Sequence, residues 1–131
     1  MFIDTSVLIW ALRGNQKAIQ LLNETEKLSI SVVVYIELMQ GARNKQELQA
    51  IDKTLSMLQV EIIQVNETIS SLAMELVKTY FHSHSIELAD SLIGATALLY
   101  KTALVTCNVK HFSPMQNLKI VPFDPNLGTA S

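Results

Sequence analysis

Four polar positions sit where their neighbours are apolar: Asp4 in "MFIDTSVLIWAL", Glu37 in "SISVVVYIELMQGAR", Asp90 in "IELADSLIGATALLYK" and Asn108 in "ALVTCNVKHFSP". A carboxylate at the edge of an apolar core is costly unless something compensates its charge. Each position has an ordinary reading. Asp4 or Ser6 can cap a helix that begins near Val7, because their oxygens accept backbone N–H groups left unpaired in the first turn. Glu37 has Val33, Val34 and Gly41 one turn away, which puts it on an apolar face or at its boundary, reaching to water. Asp90 shares a stripe with Ile86, Ile93, Gly94 and Ala97, or else caps a helix starting at Ser91. Asn108 and Thr106 suit a strand end turning into a loop.

Taken together, the acids suggest a different chemistry. Carboxylates gathered in one crevice repel one another and shift their pKa values upward. A hard divalent cation, Mg²⁺ or Mn²⁺, resolves that conflict, since it prefers carboxylate oxygens and water. Such a metal activates a water and stabilises charge at an attacked phosphate. On that logic Asp4 is a ligand rather than a cap, and Asp4→Asn or Asp90→Asn is expected to leave the metal-free fold intact or more stable. Glu87, one turn before Asp90, is either a supporting acid or a first-turn residue favoured by the helix dipole. His111 reads as a structural or surface histidine, and His82 and His84 as loop or helix-end residues. Cys107 reads as a small buried filler.

The elements that must position these residues alternate between short apolar runs and helical stretches. Strands are expected at Phe2–Asp4, Leu28–Ser31, Val60–Gln64, Ala103–Thr106 and Lys119–Pro122. Helices are expected at Val7–Leu12, Asn15–Thr25, Val32–Ala42, Lys45–Leu58, Glu67–Ser83 and Leu88–Lys101. Asn44 followed by Glu47 resembles a capping box, and Asn66 is placed to cap the next helix. This alternation gives an α/β fold, a parallel sheet of about five strands flanked by helices. Ligands bind such sheets beyond the carboxyl ends of the strands, where Asp4 and Thr106–Asn108 lie.

Composition narrows the function classes. Hydrophobic residues make up 49% of 131, enough for one domain with a real core and too many for a disordered chain. No apolar run approaches the roughly 20 residues that span a bilayer. An acid interrupts the first apolar stretch and no basic region precedes it, so no signal peptide is expected. The single cysteine excludes an intramolecular disulfide and a cysteine zinc cage, leaving a cytoplasmic protein as the expectation. A net charge of −2 means that a polyanion must be drawn in by local cations or bound metal.

The blocks "FIDTSVLIW", "VVVYIELMQGAR", "LADSLIGATAL" and "LVTCNVKHF", in that order, resemble the four sequence blocks of the PIN-domain family. The resemblance covers essentially the whole chain, and the length is similar to that of VapC-type toxins of toxin–antitoxin systems. It implies a single domain over residues 1–131, folded as a three-layer sandwich around a parallel sheet. It also implies a Mg²⁺- or Mn²⁺-dependent ribonuclease acting on tRNA, rRNA or mRNA, a homodimer, and a cognate antitoxin that inserts into the active-site groove. Carried over by position, Asp4, Glu37 and Asp90 match the metal-binding acids, Asn108 stands where many members have a fourth Asp, and Ser6 and Thr106 match supporting polar positions. An amide ligates without charge, so Asn108 weakens a second metal site.

Arg13, Arg43, Lys45 and Lys110 lie in or just beyond the blocks and are the expected RNA contacts, Arg13 and Lys110 foremost. The stretches "IWALRGNQKAIQLL" and "LSMLQVEIIQV" are either core or a dimer face or antitoxin groove. A catalytically silent PIN domain that only binds RNA or protein is the competing reading; the three retained acids argue against it. A haloacid-dehalogenase phosphatase needs an Asp where Ser6 stands, and a receiver domain needs paired acids after the first strand.

Overall fold

The computed structural model describes residues 1–126, so the last five residues of the expected 1–131 domain lie outside the described residues. Chain order is β1 (Phe2–Ile3), α1 (Thr5–Leu12), α2 (Gln16–Glu24), β2 (Ser29–Ser31), α3 (Val32–Gln40), α4 (Lys45–Met57), β3 (Glu61–Ile63), α5 (Glu67–Tyr80), α6 (Leu88–Leu99), β4 (Leu104–Thr106), α7 (Val109–Phe112) and β5 (Ile120–Pro122). The strands pair in parallel in the order β3-β2-β1-β4-β5. By the right-handed crossover rule, α1–α4 cover one face and α5–α7 the other. Covering both faces explains why Phe2, Ile3, Leu104 and Val105 are buried without alternation.

The strand order places the site. From β1 the chain winds outward through β2 and β3, then returns to the other flank of β1 as β4. The winding therefore reverses between β1 and β4, and a crevice opens at their carboxyl ends. Phe2 pairs with Leu104 and Ile3 with Val105, so the next residues, Asp4 and Thr106, emerge side by side.

Local rules set most boundaries. Asn15, Ser31, Asn44 and Asn66 each accept a backbone N–H of the helix that follows, at 2.8–3.1 Å. The Asn44 box closes through its neighbour: Glu47 Oε1 accepts from the Arg43 N–H at 2.8 Å rather than from Asn44. Helices α1, α4 and α6 end in Schellman turns, with Gly14, Gln59 and Lys101 left-handed at φ 90°, 54° and 52°. The N–H of the following residue reaches back five positions in each: Asn15 to Trp10, Val60 to Leu55 and Thr102 to Ala97.

Helix α1 begins at Thr5, two residues before the expected Val7, because Asp4 caps it. Helix α5 stops at Tyr80 rather than Ser83, and α7 adds a single turn that the sequence pattern does not signal. Gly94 is closely packed. A Cβ there would overlap Met115 Sδ, so the small position on α6 accommodates Met115 and Phe112 rather than a ligand.

Candidate active site

Asp4 follows β1 directly and is only 4% exposed. Its Oδ1 accepts the Thr5 N–H at 2.9 Å. Its Oδ2 accepts two hydroxyls, Ser6 Oγ at 3.0 Å and Thr106 Oγ1 at 2.6 Å. Each hydroxyl is itself oriented: Ser6 Oγ accepts from the Cys107 N–H at 3.1 Å, and Thr106 Oγ1 accepts from the Asn108 N–H at 2.9 Å. With those lone pairs engaged, both hydroxyl hydrogens point at Oδ2. Asp4 is thus held as an acceptor, with an Oδ1 lone pair left over. Asp4 is therefore the N-cap of α1, where the sequence pointed to a ligand instead of a cap, and capping leaves that lone pair for a second role.

Asp90 lies in the first turn of α6, behind Glu87 at the N-cap, and is therefore neither an N-cap nor a mid-helix residue. Burial pushes its carboxyl above the ordinary aspartate value; the charges of Asp4 and Glu87 add to the rise, and His111 opposes it. His111 Nδ1 stands 3.3 Å from Asp90 Oδ2, on the one-turn α7 that sequence periodicity could not reveal. Glu87 is exposed and makes no side-chain cap bond, so it acts on Asp90 through its charge alone.

Glu37, on the second turn of α3, is half-buried, and its Oε1 accepts the Thr5 hydroxyl at 2.6 Å. Thr5 thereby touches two acids, through its N–H and its hydroxyl. Sequence reasoning missed this residue; Thr beside Asp reads as turn chemistry, and only the proximity of α1 to α3 reveals the contact.

Thr5 joins Asp4 to Glu37, and Asp90 lies near enough to Asp4 for that charge to add to the rise in its pKa. Among the described residues, however, no group of three or more His, Cys, Asp or Glu forms a ready metal cage. The donor chemistry fits a hard cation at Asp4 and Asp90, where oxygen ligands repel one another, with Glu37 beside them. Asn108 is exposed at the start of α7, with no side-chain cap bond. Cys107 packs against the core but is only partly buried, short of the buried filler expected, and desolvation pushes its thiol up.

Glu37 also lines a groove of about 580 Å³ between α1, α3 and α4, whose lining includes Arg13 from the end of α1 and Arg43 from the α3–α4 connection. Arg43 is committed to Glu47, with Nη2 to Oε2 at 2.8 Å. Lys45 is exposed at the start of α4 and does not line this groove. Lys110 is exposed on α7, one residue before His111. Of the apolar stretches held in question, Leu22 and Leu55 are core, while Trp10, Leu12 and Met57 are exposed.

A family profile described as PIN domain matches residues 1–118. Ribonuclease VapC19 of Mycobacterium tuberculosis is 34% identical over 122 residues, covering 89% of this chain and 95% of that protein. Among solved structures, a toxin–antitoxin complex from Klebsiella pneumoniae superposes with TM-score 0.77 at 29% identity, covering 95% of this chain and 96% of that one. VapBC2 from Rickettsia felis, bound to a DNA fragment from its promoter, gives TM-score 0.81 at 26% identity over 94% of this chain and 98% of that one.

Proposed function

The chain belongs to the PIN-domain family, and on that premise we propose that it is the ribonuclease toxin of a toxin–antitoxin pair, hydrolysing RNA with Mg²⁺ or Mn²⁺. The observation that carries the reading is the Asp4 network. A buried carboxylate is held by hydroxyls from both sides of the sheet's switch point, beside Asp90, whose pKa is raised first by burial and further by the charge of Asp4. A bound divalent cation supplies a water of lowered pKa and positive charge to offset that of the attacked phosphate.

The chain's own residues do the rest. Asp4 and Asp90 hold the cation, Glu37 completes its acidic surround, and Ser6 and Thr106 keep Asp4 from turning away. Asn108 offers an uncharged oxygen to a water or to substrate. Arg13 and Lys110 draw RNA phosphates toward the acids, compensating the net charge of −2. Arg43 and Lys45 extend that path along α4.

Several relatives are solved as toxin–antitoxin complexes. In this chain the groove between α1, α3 and α4 suits an antitoxin segment with a basic side chain that neutralises Glu37. The protein works as a homodimer in the cytoplasm; among the described residues no helix is long and apolar enough to cross a membrane.

The test is cleavage of a panel of tRNA, rRNA and mRNA fragments with Mg²⁺, Mn²⁺ or EDTA. Cleavage that needs metal and disappears in Asp90→Asn supports the reading. RNA bound but uncut under every condition supports the silent binding module instead.

A further inference from the structure

Among the described residues, Thr5 is the one bonded to two of the acids. Its backbone N–H donates to Asp4 Oδ1 at 2.9 Å, and its hydroxyl donates to Glu37 Oε1 at 2.6 Å. The two bonds differ in what they need. The first is a helix-cap contact that any residue except proline supplies at this position. The second needs a hydroxyl and does nothing for the helix.

Glu37 also has a competing environment. It lines the groove between α1, α3 and α4, as do Arg13 and Arg43. Arg43 is engaged by Glu47, whereas Arg13, exposed at the C-cap of α1, makes no ion pair among the described residues. Arg13 lines the same groove as Glu37, so a glutamate released from Thr5 has an opposite charge to turn to.

We propose that Thr5 is a positioning residue: its hydroxyl tethers Glu37 on the Asp4 side of the groove, so that the third acid is in reach when a divalent cation binds. This rests on the metal-dependent reading above. A bond of 2.6 Å to a carboxylate is at the short, charge-assisted end of the O–H···O range, as a tether requires. Partners that orient a metal's ligands change affinity by about 10–100-fold when removed.

Thr5→Val removes the hydroxyl at nearly constant shape and keeps the N–H bond to Asp4. Thr5→Ser keeps both bonds and removes only the methyl group. The measurements are Mn²⁺ affinity by calorimetry or electron paramagnetic resonance, thermal unfolding in EDTA, and cleavage rate against Mn²⁺ concentration. In Thr5→Val the expected results are roughly tenfold weaker Mn²⁺ binding, a matching rise in the Mn²⁺ needed for half-maximal cleavage, and most of the wild-type rate recovered at saturating metal. Thr5→Ser should stay within about threefold of wild type. Unfolding temperatures in EDTA should be unchanged, because the tether does not hold the fold.

Wild-type Mn²⁺ affinity in Thr5→Val, or a Thr5→Ser variant as impaired as Thr5→Val, overturns the role of Thr5 and leaves the ribonuclease reading standing. A wild-type protein that neither binds Mn²⁺ nor cuts RNA overturns both.

Discussion

Asp4→Asn and Asp90→Asn both remove one negative charge from the site, yet the structure sends their effects on metal-free stability in opposite directions. At Asp4 three donors converge on two oxygens in a position that is 4% exposed. An asparagine keeps one oxygen. If its amide replaces Oδ2, it meets two hydroxyls whose hydrogens already point inward; if it replaces Oδ1, it meets the Thr5 N–H. At least one buried donor loses its partner, and the survivors lose the help of a full charge. Together these cost about 2–3 kcal/mol. For a domain of this size that is a fall of roughly 6–15 °C in Tm.

Asp90→Asn instead relieves burial and the repulsion of Asp4 and Glu87, at the expense of the His111 contact. Its carboxyl is half-buried, so screening limits the gain to the order of 1 kcal/mol or less. The raised folded pKa fixes the pH dependence. Ionised Asp90 opposes folding, so its penalty is full above the folded pKa and vanishes below the ordinary value of 3.8. The advantage of Asp90→Asn over wild type should therefore shrink as pH falls through that window. Calorimetry in EDTA between pH 7 and 4 reads all three variants. Equal Tm for Asp4→Asn and wild type, or an Asp90→Asn variant well below wild type at pH 7, refutes the reasoning. The hydrogen bonds on Asp4 thus argue against the expectation from charge alone, which treats the two acids alike.

Two further outcomes follow from the surface. An Arg13→Ala, Lys110→Ala double variant should bind single-stranded RNA more weakly, with a salt slope shallower by about 1.4 if each side chain neutralises one phosphate; an unchanged slope in filter binding contradicts their placement. Lys101, left-handed at φ 52° where α6 ends, is better served by glycine, so Lys101→Gly should raise stability by about 0.5–1 kcal/mol in urea melts, and a loss would show that its side chain holds the turn.

The three acids were legible in the sequence because carboxylates on apolar faces are expensive and must be explained. The caps Asn44 and Asn66 were legible because capping depends on neighbours a few residues away. Thr5 and His111 were not. The meaning of Thr5 lies 32 residues along the chain, at Glu37. His111 gains its partner only because a single turn of helix, too short to show periodicity, swings it against α6. The small residue at Gly94 was legible, but not its occupant, since Met115 comes from a loop whose path no local rule dictates.

Because β1 is the central strand and is made first, its right-hand neighbour in the sheet is among the last elements synthesised. Asp4 and Thr106 are 102 residues apart, and the bond between them closes only after β4 docks. Until then the first strand has an open edge, and the carboxylate beside it lacks the hydroxyl that steadies it. A nascent chain emerging from the ribosome is therefore an incomplete nuclease for most of its synthesis. The late, long-range pairing that slows folding also delays completion of the acidic site, whereas the groove between α1, α3 and α4 has its walls complete by residue 57.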